Sequence, residues 1–346
     1  MLSRSALGGG GPGRIPSPRF EEKEMEKLDR RLSVAPMMER TDRHCRVFLR
    51  LISSHALLYS EMITSAAILH GDRARLLDFD AREHPVALQL GGSDPDDLAI
   101  CAGIAEDWGY DEVNLNVGCP SDRVRSGRFG ASLMAEPSLV AACIEAMAAA
   151  TALPVTVKCR TGIDQREGFD NLLQFIDTVA GAGCATFIIH ARIAVLGGLS
   201  PKQNREIPPL QYALVERLKR ARPDLEILLN GGLRCLDAVT QALEWAQGVM
   251  IGREAYQNPY FLAAIEAELF NQTAPDRHAV IDAYVEYAAA ALSGGVTLHH
   301  LSRHVLGLFQ GRPGARAFRR HISQNAHLEG AGIEVIAEAA AITAAY

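Results

Sequence analysis

Short apolar runs recur along the chain, and longer segments in which apolar residues repeat at helical spacing separate them. Eight of these runs are rich in β-branched residues, and they begin at Leu32, Ala56, Val86, Glu112, Val155, Thr186, Glu226 and Gly248. Runs that are apolar at nearly every position are typical of strands buried on both faces, as a parallel sheet requires. The pattern therefore predicts eight buried parallel strands.

Helical patterns fill most intervals between these strands. Helices are predicted at residues 95–108, 137–150, 169–180 and 209–222, and Ser93-Asp94 before the first of them is an N-cap signal. Strands that alternate with helices predict an α/β fold, a closed (β/α)₈ TIM barrel. A doubly wound sheet is the alternative, but the chain lacks a G-x-G-x-x-G turn after its first strand.

After Tyr260 the strand pattern ends, and a helical domain is predicted, with helices at residues 276–293, 298–309, 315–326 and 333–344. Between Tyr287 and Leu328 this part has no carboxylate, but it carries Arg303, Arg312, Arg316, Arg319, Arg320, His299, His300, His304, His321 and His327. A local basic surface is what selective RNA docking requires. We therefore expect an extension at residues 1–30, a barrel at 31–262 and an RNA-binding helical domain at 275–346.

Composition narrows the class of protein. With 48% hydrophobic and 22% charged residues, and no long apolar run, a soluble protein without a membrane span is expected. The net charge of −6 argues against indiscriminate nucleic-acid binding. The seven cysteines include no CxxC pair, which indicates a reducing compartment, the cytoplasm. Neither disulfides nor a metal site are expected, and six of the cysteines are expected to fill the core. The glycine- and proline-rich first twenty residues favour a disordered extension or a start-site artefact over a transit peptide.

Polar residues stand at the C-terminal ends of the predicted strands, where TIM barrels carry their active sites. Strand by strand these residues are Pro36-Met37-Met38, Glu61, Gln89, Asn116, Lys158 with Arg160, His190, Asn230-Gly231-Gly232 and Gly252-Arg253. Packing alone does not readily explain why polar residues stand at strand ends all around the ring. We therefore predict that the functional site lies at this end of the barrel.

The last two strand ends are rich in glycine, and loops after the seventh and eighth strands of such barrels commonly bind phosphate. Asn230-Gly231-Gly232 and Gly252-Arg253 fit that function. Lys158 fits three functions: a Schiff-base nucleophile, a cation for phosphate, or a partner for an electron-rich ring such as a flavin. Gln89 offers hydrogen bonds to the edge of such a ring, and residues 36–38 offer backbone and thioether contact.

Cys119 lies in the loop after the fourth strand and is the candidate reactive residue. Arg123, Arg125 and Arg128 follow it, so its surroundings are electropositive rather than apolar, and its thiol fits a nucleophile or an acid. His190 precedes a long polar loop that contains Arg192, Lys202, Asn204 and Arg205. Loops of this length in compact domains are commonly functional.

Together these segments resemble the tRNA-dihydrouridine synthase family, and within it the DusA branch. The resemblance covers about residues 32–325 and is carried by VAPMMERTDRH, QLGG, NLNVGCPSDRV with GRFGA, VKCRTGID, SPKQNREIPPL, NGG, IGREAYQNP and GARAFRR. After His190-Ala191-Arg192, this branch commonly has a lysine and then a tryptophan, where this chain has Ile193 and Val195.

The resemblance implies the following cofactor and substrate sites. It implies FMN bound by Pro36, Met37, Met38, Gln89, Lys158, His190, Asn230, Gly231, Gly232, Gly252 and Arg253. It implies Cys119 as the catalytic acid, NADPH as the reductant and uridines 20 and 20a of the tRNA D-loop as targets. It also implies tRNA contacts at Asn116, Lys202, Arg205, Arg316 and Arg319.

Two other functions are compatible with the same residues. The first is an FMN barrel acting on a free metabolite, as in dihydroorotate dehydrogenases, although the arginine-rich helical part argues for RNA. The second is a flavin- or RNA-binding protein without turnover, in which Cys119 has no catalytic function. A monomer is expected in each case.

Overall fold

The computed structural model describes residues 28–121 and 127–345, and a closed parallel β-barrel lies at its centre. Its eight strands are β1 (Leu32–Val34), β2 (Leu57–Tyr59), β3 (Val86–Gly91), β4 (Glu112–Val117), β5 (Val155–Arg160), β6 (Thr186–His190), β7 (Glu226–Asn230) and β8 (Gly248–Ile251). Each strand pairs with the next, and β1 pairs with both β2 and β8, which closes the ring. A two-residue strand, Ile63–Thr64, lies beside β3. The predicted TIM barrel is confirmed.

Helices follow the strands on the outside of the barrel. They are α1 (Arg43–Arg50), α2 (Ser65–His70), α3 (Arg73–Leu77), α4 (Pro95–Asp107), α5 (Pro137–Ala150), α6 (Phe169–Gly181), α7 (Tyr212–Ala221), α8 (Leu236–Leu243), α9 (Arg253–Gln257) and α10 (Phe261–Phe270). The Asp94 carboxylate accepts from Asp97 N at 3.0 Å and caps α4, as its sequence position predicted. α7 begins three residues later than predicted, because the backbone N–H of Gln211 donates to Ala191 O at 2.8 Å.

Two apolar cores surround the strands. A small core fills the barrel interior and includes Leu57, Tyr59, Ile188 and Met250. A much larger core lies between the strands and the outer helices. Side chains on the two faces of each strand are therefore both buried, which explains why the runs are apolar at nearly every position.

Polar side chains also form a continuous chain of hydrogen bonds through the barrel interior. Its links run from Asn116 to Gln89 (2.8 Å), from Gln89 to Asn114 (2.8 Å), from Asn114 to Thr156 (2.8 Å), from Thr156 to Glu112 (2.7 Å) and from Arg30 to Glu112 (2.7 Å). Glu112 is fully buried and Arg30 is 5% exposed, so this ion pair closes the N-terminal end of the barrel. The chain connects that end to the strand ends where the site was predicted.

The C-terminal part packs against α1 and α9 of the barrel. Its helices are α11 (Arg277–Ser293), α12 (Leu298–Ser302), α13 (Ala315–Asn325) and α14 (Glu334–Ala344). The single helix predicted at residues 298–309 is wrong: α12 ends at Ser302 and a 3₁₀ turn follows at Val305–Gly307. A Cβ on Gly307 would lie 2.6 Å from Gln257 O, so the backbone approaches the barrel too closely there for a continuous helix with side chains.

The large core continues from the barrel helices into the C-terminal helices, and Phe48 of α1 packs edge-on against Tyr284 of α11 with ring centres 5.3 Å apart. The predicted domain bounds therefore stay a prediction. Residues 1–27, most of the expected extension, lie outside the described residues, as do Arg123 and Arg125. Within the part of the chain that is described, no helix is long and apolar enough to cross a membrane.

Candidate active site

Lys158 lies inside the mouth of the barrel at the C-terminal ends of the strands. Its ammonium donates to Asn230 Oδ1 at 3.0 Å, and Asn230 Nδ2 donates to Met250 O at 2.7 Å. Burial, together with the nearby Arg160, lowers the pKa of Lys158 to about 8. The side chain is thus a partly buried cation with a single described hydrogen-bond acceptor, which favours an interaction with added negative charge.

His190 ends β6 beside Lys158. Burial, with Arg160 and Lys158 as neighbouring cations, holds the pKa of His190 well below its usual range. The imidazole is therefore neutral at physiological pH, with one nitrogen that donates and one that accepts.

Gly231 and Gly232 form a turn that only glycine fits. Their φ angles are 110° and 74°, in the left-handed region. A Cβ on Gly231 would lie 2.6 Å from His190 Cδ2, and one on Gly232 would lie 2.5 Å from Leu210 Cδ1. The turn therefore leaves backbone exposed beside His190, as a phosphate or ring site requires.

Gly252 and Arg253 are less constrained than this turn. Gly252 has an ordinary φ of −96°, and a Cβ there would meet only Ala35 Cβ at 4.0 Å. Arg253 forms an ion pair with Glu206 at 2.6 Å, which occupies part of the guanidinium predicted to bind phosphate. Phosphate binding at this pair stays a prediction.

Cys119 lies on a turn held by Asn116. Asn116 Oδ1 accepts from the backbone N–H groups of Gly118 at 3.1 Å and Cys119 at 3.0 Å. The thiol is partly exposed and lies 3.6 Å from Ser121 Oγ. The turn thus presents Cys119 at the barrel mouth, in contrast to a thiol packed in the core.

The other six cysteines, all within described residues, are free thiols. Five of them, Cys45, Cys101, Cys143, Cys159 and Cys184, are buried and fill the core as expected. Cys235 is exposed, so the expectation that all six fill the core is wrong for this residue. It precedes α8 on the surface, where no apolar neighbours enclose it.

Arg160 had no assigned function in the sequence, and the structure gives it one. Its side chain is 3% exposed and donates to Gly118 O at 2.9 Å, to Asn204 O at 2.9 Å and to Ile193 O at 3.1 Å. It therefore joins the turn that carries Cys119 to the long loop after β6. The acceptors are backbone carbonyls, which a sequence pattern does not reveal.

Asn204 organises the same loop from within. It is fully buried, its Oδ1 accepts from Val195 N at 2.7 Å and its Nδ2 donates to Val195 O at 2.9 Å. Ile193 and Val195, where this chain departs from the family pattern, are thus held through their backbone atoms. The conformation of the loop does not depend on a lysine or tryptophan side chain at these positions.

Gln89 and Asn116 are buried more deeply than their predicted contacts suggest. Gln89 is 1% exposed and uses its amide in bonds to Asn114 and Asn116. Each amide keeps one N–H free of these bonds. A ring contact for Gln89 and a tRNA contact for Asn116 stay predictions.

The expected basic surface of the C-terminal part is smaller than the sequence predicts. Asp42, the N-cap of α1, pairs with Arg303, with His304 at 3.1 Å and with His300 at 3.2 Å. Three of the predicted basic residues are therefore engaged with the barrel and, to that extent, unavailable to RNA. Lys202, Arg205 and Arg316 are exposed, and Arg319 is partly exposed.

The described residues contain no group of three or more His, Cys, Asp or Glu side chains placed to hold a metal ion. The mouth of the barrel offers a partly exposed thiol, a neutral imidazole, a partly buried ammonium and a glycine turn. These groups suit binding of a phosphate-bearing planar ring next to a proton donor.

Comparison with known proteins agrees with this arrangement. The model of the family described as dihydrouridine synthase (Dus) matches residues 33–345. The chain is 57% identical over 315 residues to the tRNA-dihydrouridine(20/20a) synthase of Shewanella oneidensis, across 90% of this chain and 94% of that protein. Proteins of the same name from Xanthomonas campestris and Vibrio cholerae are each 56% identical, across 89% and 90% of this chain and 92% and 96% of their own lengths.

Among solved structures, a complex of 2-naphthoyl-CoA reductase with 2-naphthoyl-CoA matches with a TM-score of 0.51 and 10% identity, across 68% of this chain and 49% of that one. At this identity the likeness concerns the fold alone.

Proposed function

The chain belongs to the dihydrouridine synthase family, and from that premise we propose that it reduces uridine to 5,6-dihydrouridine at positions 20 and 20a in the D-loop of tRNA, with FMN as its cofactor and NADPH as its reductant. The observation that carries the proposal is the turn at the barrel mouth, where Asn116 and Arg160 hold Cys119 among groups suited to a flavin. Relatives named for this reaction at 56–57% identity support the choice of substrate.

The residues present fit FMN. The open backbone of Gly231 and Gly232 supports a phosphate or ring contact, and Arg253 and Gly252 extend it. Lys158 and His190 lie beside this turn, and Met38, 55% exposed, offers an apolar surface. Pro36, Met37 and Gln89 complete the proposed set. When bound, FMN supplies the hydride that adds to C6 of uracil.

In this proposal, the ammonium of Lys158 offsets negative charge on the flavin ring. Its pKa of about 8 keeps it mostly protonated at neutral pH, and negative charge nearby raises that pKa further. An anion beside Lys158 offsets the cost of desolvating its ammonium. We therefore expect anionic groups to bind there preferentially. Asn230 Oδ1 accepts a hydrogen bond from the ammonium and so orients it.

Cys119 supplies the proton. Hydride addition at C6 of the uracil enone leaves negative charge on C5 and O4, and the Cys119 S–H bond breaks as C5 takes the proton. The resulting thiolate regains its proton from solvent. A positioned acid of this kind typically contributes about 10² to 10⁴ in rate.

The tRNA must present an extruded base to reach the mouth of the barrel. Unpaired loop uridines leave their stack at lower cost than paired ones. Lys202 and Arg205, on the loop joined to Cys119 through Arg160, are proposed to contact the tRNA near the target. Asn116, Arg316 and Arg319 are the other proposed contacts. Action in the cytoplasm, as a monomer, also stays a proposal.

The test is anaerobic addition of NADPH to the purified protein, followed by undermodified tRNA. We expect NADPH to bleach the flavin absorbance and tRNA to restore it, with FMN as the released cofactor by mass spectrometry. Restoration by a free pyrimidine such as orotate, but not by tRNA, would favour the free-metabolite reaction. Release of FAD would overturn the cofactor assignment.

A further inference from the structure

Three consecutive residues, Leu210, Gln211 and Tyr212, connect the long loop after β6 to α7 at the mouth of the barrel. The backbone N–H of Gln211 donates to Ala191 O at 2.8 Å, just after β6. The side-chain Oε1 of Gln211 accepts from Thr161 Oγ1 at 2.5 Å, just after β5. Tyr212, the first residue of α7, is therefore anchored to two strand ends through the residue before it.

The hydroxyl of Tyr212 donates to the carbonyl oxygen of Gly231 at 2.5 Å. The side chain is partly buried, and burial raises the pKa of Tyr212 above its usual value, so the hydroxyl keeps its proton and remains a donor. A Cβ on Gly232 would lie 2.7 Å from this hydroxyl oxygen and 2.5 Å from Leu210 Cδ1. The start of α7 thus packs directly against the glycine turn, in space that only glycine at position 232 leaves open.

The bond from Tyr212 also sets the direction of a backbone N–H group. The Gly231 carbonyl and the Gly232 N–H belong to one planar trans peptide unit, in which they point in opposite directions. Because the carbonyl is turned toward Tyr212, the Gly232 N–H points away from it. Among described residues, no group accepts from the N–H of Gly232 or of the next residue, Leu233. Successive backbone N–H groups without partners are suited to binding an anion.

The glycine pair does not hold this orientation by itself. Glycine populates positive and negative φ about equally, so the peptide unit between Gly231 and Gly232 can rotate at low cost. Rotation would turn the carbonyl oxygen, which repels an anion, to where the N–H group was. Among described donors, only Tyr212 bonds to the Gly231 carbonyl. The Tyr212 hydroxyl therefore opposes this rotation, because the rotated carbonyl would lose its donor.

We propose that Tyr212 is a positioning residue for the phosphate of the flavin, whose hydroxyl holds the Gly231–Gly232 peptide unit so that the Gly232 and Leu233 N–H groups face the phosphate. The inference rests on the proposed function and adds to it a residue outside the set proposed to contact FMN. Tyr212 acts through the turn, since the Gly231 carbonyl already takes its hydroxyl proton. Its effect on binding should therefore depend on the phosphate and not on the flavin ring.

Titration of the flavin-free, full-length protein with FMN and with riboflavin, which lacks the phosphate, tests this function. Quenching of flavin fluorescence gives the Kd of each. Tyr212→Phe keeps the aromatic ring and its packing but removes the donor. It should weaken the Kd of FMN by about tenfold, the loss of one hydrogen bond at an anion site. The Kd of riboflavin should stay the same as in the original protein.

The matched control is Tyr260→Phe. The Tyr260 hydroxyl donates to Pro275 O at 2.7 Å, so this variant also removes a bond from tyrosine to a backbone carbonyl, but outside the residues proposed to bind FMN. Its Kd for FMN should equal that of the original protein. Thermal unfolding of the flavin-free variants shows whether each of them folds.

Equal weakening of FMN and riboflavin binding in Tyr212→Phe would overturn the proposal, because the effect would then not act through the phosphate. Unchanged FMN affinity in the folded variant would also overturn it. A loss confined to FMN, in a protein that forms no dihydrouridine, would support the function of Tyr212 and reject the proposed reaction. Failure of the original protein to bind either flavin would overturn both, so the two failures are distinguishable.

Discussion

At the scale of single residues, the site depends on contacts between groups that lie far apart in the sequence. Cys119, Lys158, His190 and Gly231 were identified because polar or glycine residues at strand ends are informative in a barrel. Arg160 and Asp42 were not given their structural functions. Their partners are backbone carbonyls or side chains far along the chain, and only the folded structure brings these together.

Cys119→Ala separates proton donation from flavin chemistry. Alanine removes the acid but leaves the Asn116 turn and the flavin contacts in place, so NADPH should bleach the flavin at close to the normal rate. Reoxidation by tRNA should slow by about 10² to 10⁴, as measured by stopped-flow absorbance. Cys119→Ser should remain slow, because a hydroxyl is a weaker acid. Normal reoxidation of Cys119→Ala would place the proton donor elsewhere.

Lys158 predicts a pH dependence of FMN binding. Burial lowers its pKa to about 8 from 10.5, so in the protein without FMN the ammonium loses its proton as pH rises through 8. FMN affinity should therefore weaken above about pH 8, as followed by fluorescence of released FMN. In Lys158→Met the affinity should be lower at neutral pH and should lack this transition. An identical pH profile in both proteins would show that Lys158 does not interact with the cofactor.

Gly231→Ala and Gly181→Ala form a matched pair. The first forces a Cβ to 2.6 Å from His190 and places alanine at a φ of 110°, whereas the second, at the end of α6 and outside the site, adds a Cβ that meets nothing within 4 Å. We expect Gly231→Ala to lose FMN on gel filtration and to cost about 1–3 kcal/mol in stability. Gly181→Ala should retain FMN and nearly normal stability. Equal retention by both would argue against a tight cofactor site at Gly231.

At the scale of elements, all eight strands were predictable because each is buried on both faces and bounded by polar residues. Helix boundaries were predictable where local signals set them, as at the Asp94 cap. The predicted helix at residues 298–309 failed because a tertiary contact ends it. Gly307 lies against Gln257 of the barrel, and no local pattern records that contact.

Asp42 links α1 to the C-terminal helices, and its removal tests that connection. Burial alone would raise the pKa of Asp42, but hydrogen bonds from His304 and Arg303 outweigh that effect and hold the pKa well below its usual range. The ionised Asp42 carboxylate stabilises the folded protein fully above the usual carboxyl pKa of 3.8. This stabilisation is lost progressively as the pH falls from 3.8 towards the lower pKa of the folded state. Asp42→Asn keeps the helix cap but removes the charge.

We expect Asp42→Asn to lower the free energy of unfolding by about 3 kcal/mol at pH 7, as measured by urea denaturation, because Arg303 is left beside a neutral partner. The difference from the original protein should shrink at pH 3. A difference that stays constant between pH 7 and pH 3 would mean that the charge of Asp42 does not stabilise the contact.

At the scale of the whole molecule, a net charge of −6 coexists with a barrel mouth rich in arginine and lysine. Overall charge predicted weak general affinity for nucleic acid, so the proposed tRNA binding depends on local basic residues such as Lys202 and Arg205, which are exposed. The interior hydrogen-bond chain from Arg30 to Asn116 was not predictable, because its members belong to four different strands or segments that look individually apolar. The family resemblance, by contrast, could be recognised from short motifs spread over most of the chain.

The most direct test of the central claim is the position of dihydrouridine in the product RNA. An undermodified tRNA with uridines at 20 and 20a would be incubated with the FMN-loaded protein and NADPH, digested with a nuclease and sequenced by mass spectrometry. We predict a gain of two hydrogens at uridines 20 and 20a, dependent on NADPH and at least about 10²-fold slower with Cys119→Ala. Unmodified D-loop fragments after full flavin reduction, or dihydrouridine confined to other positions, would contradict the account.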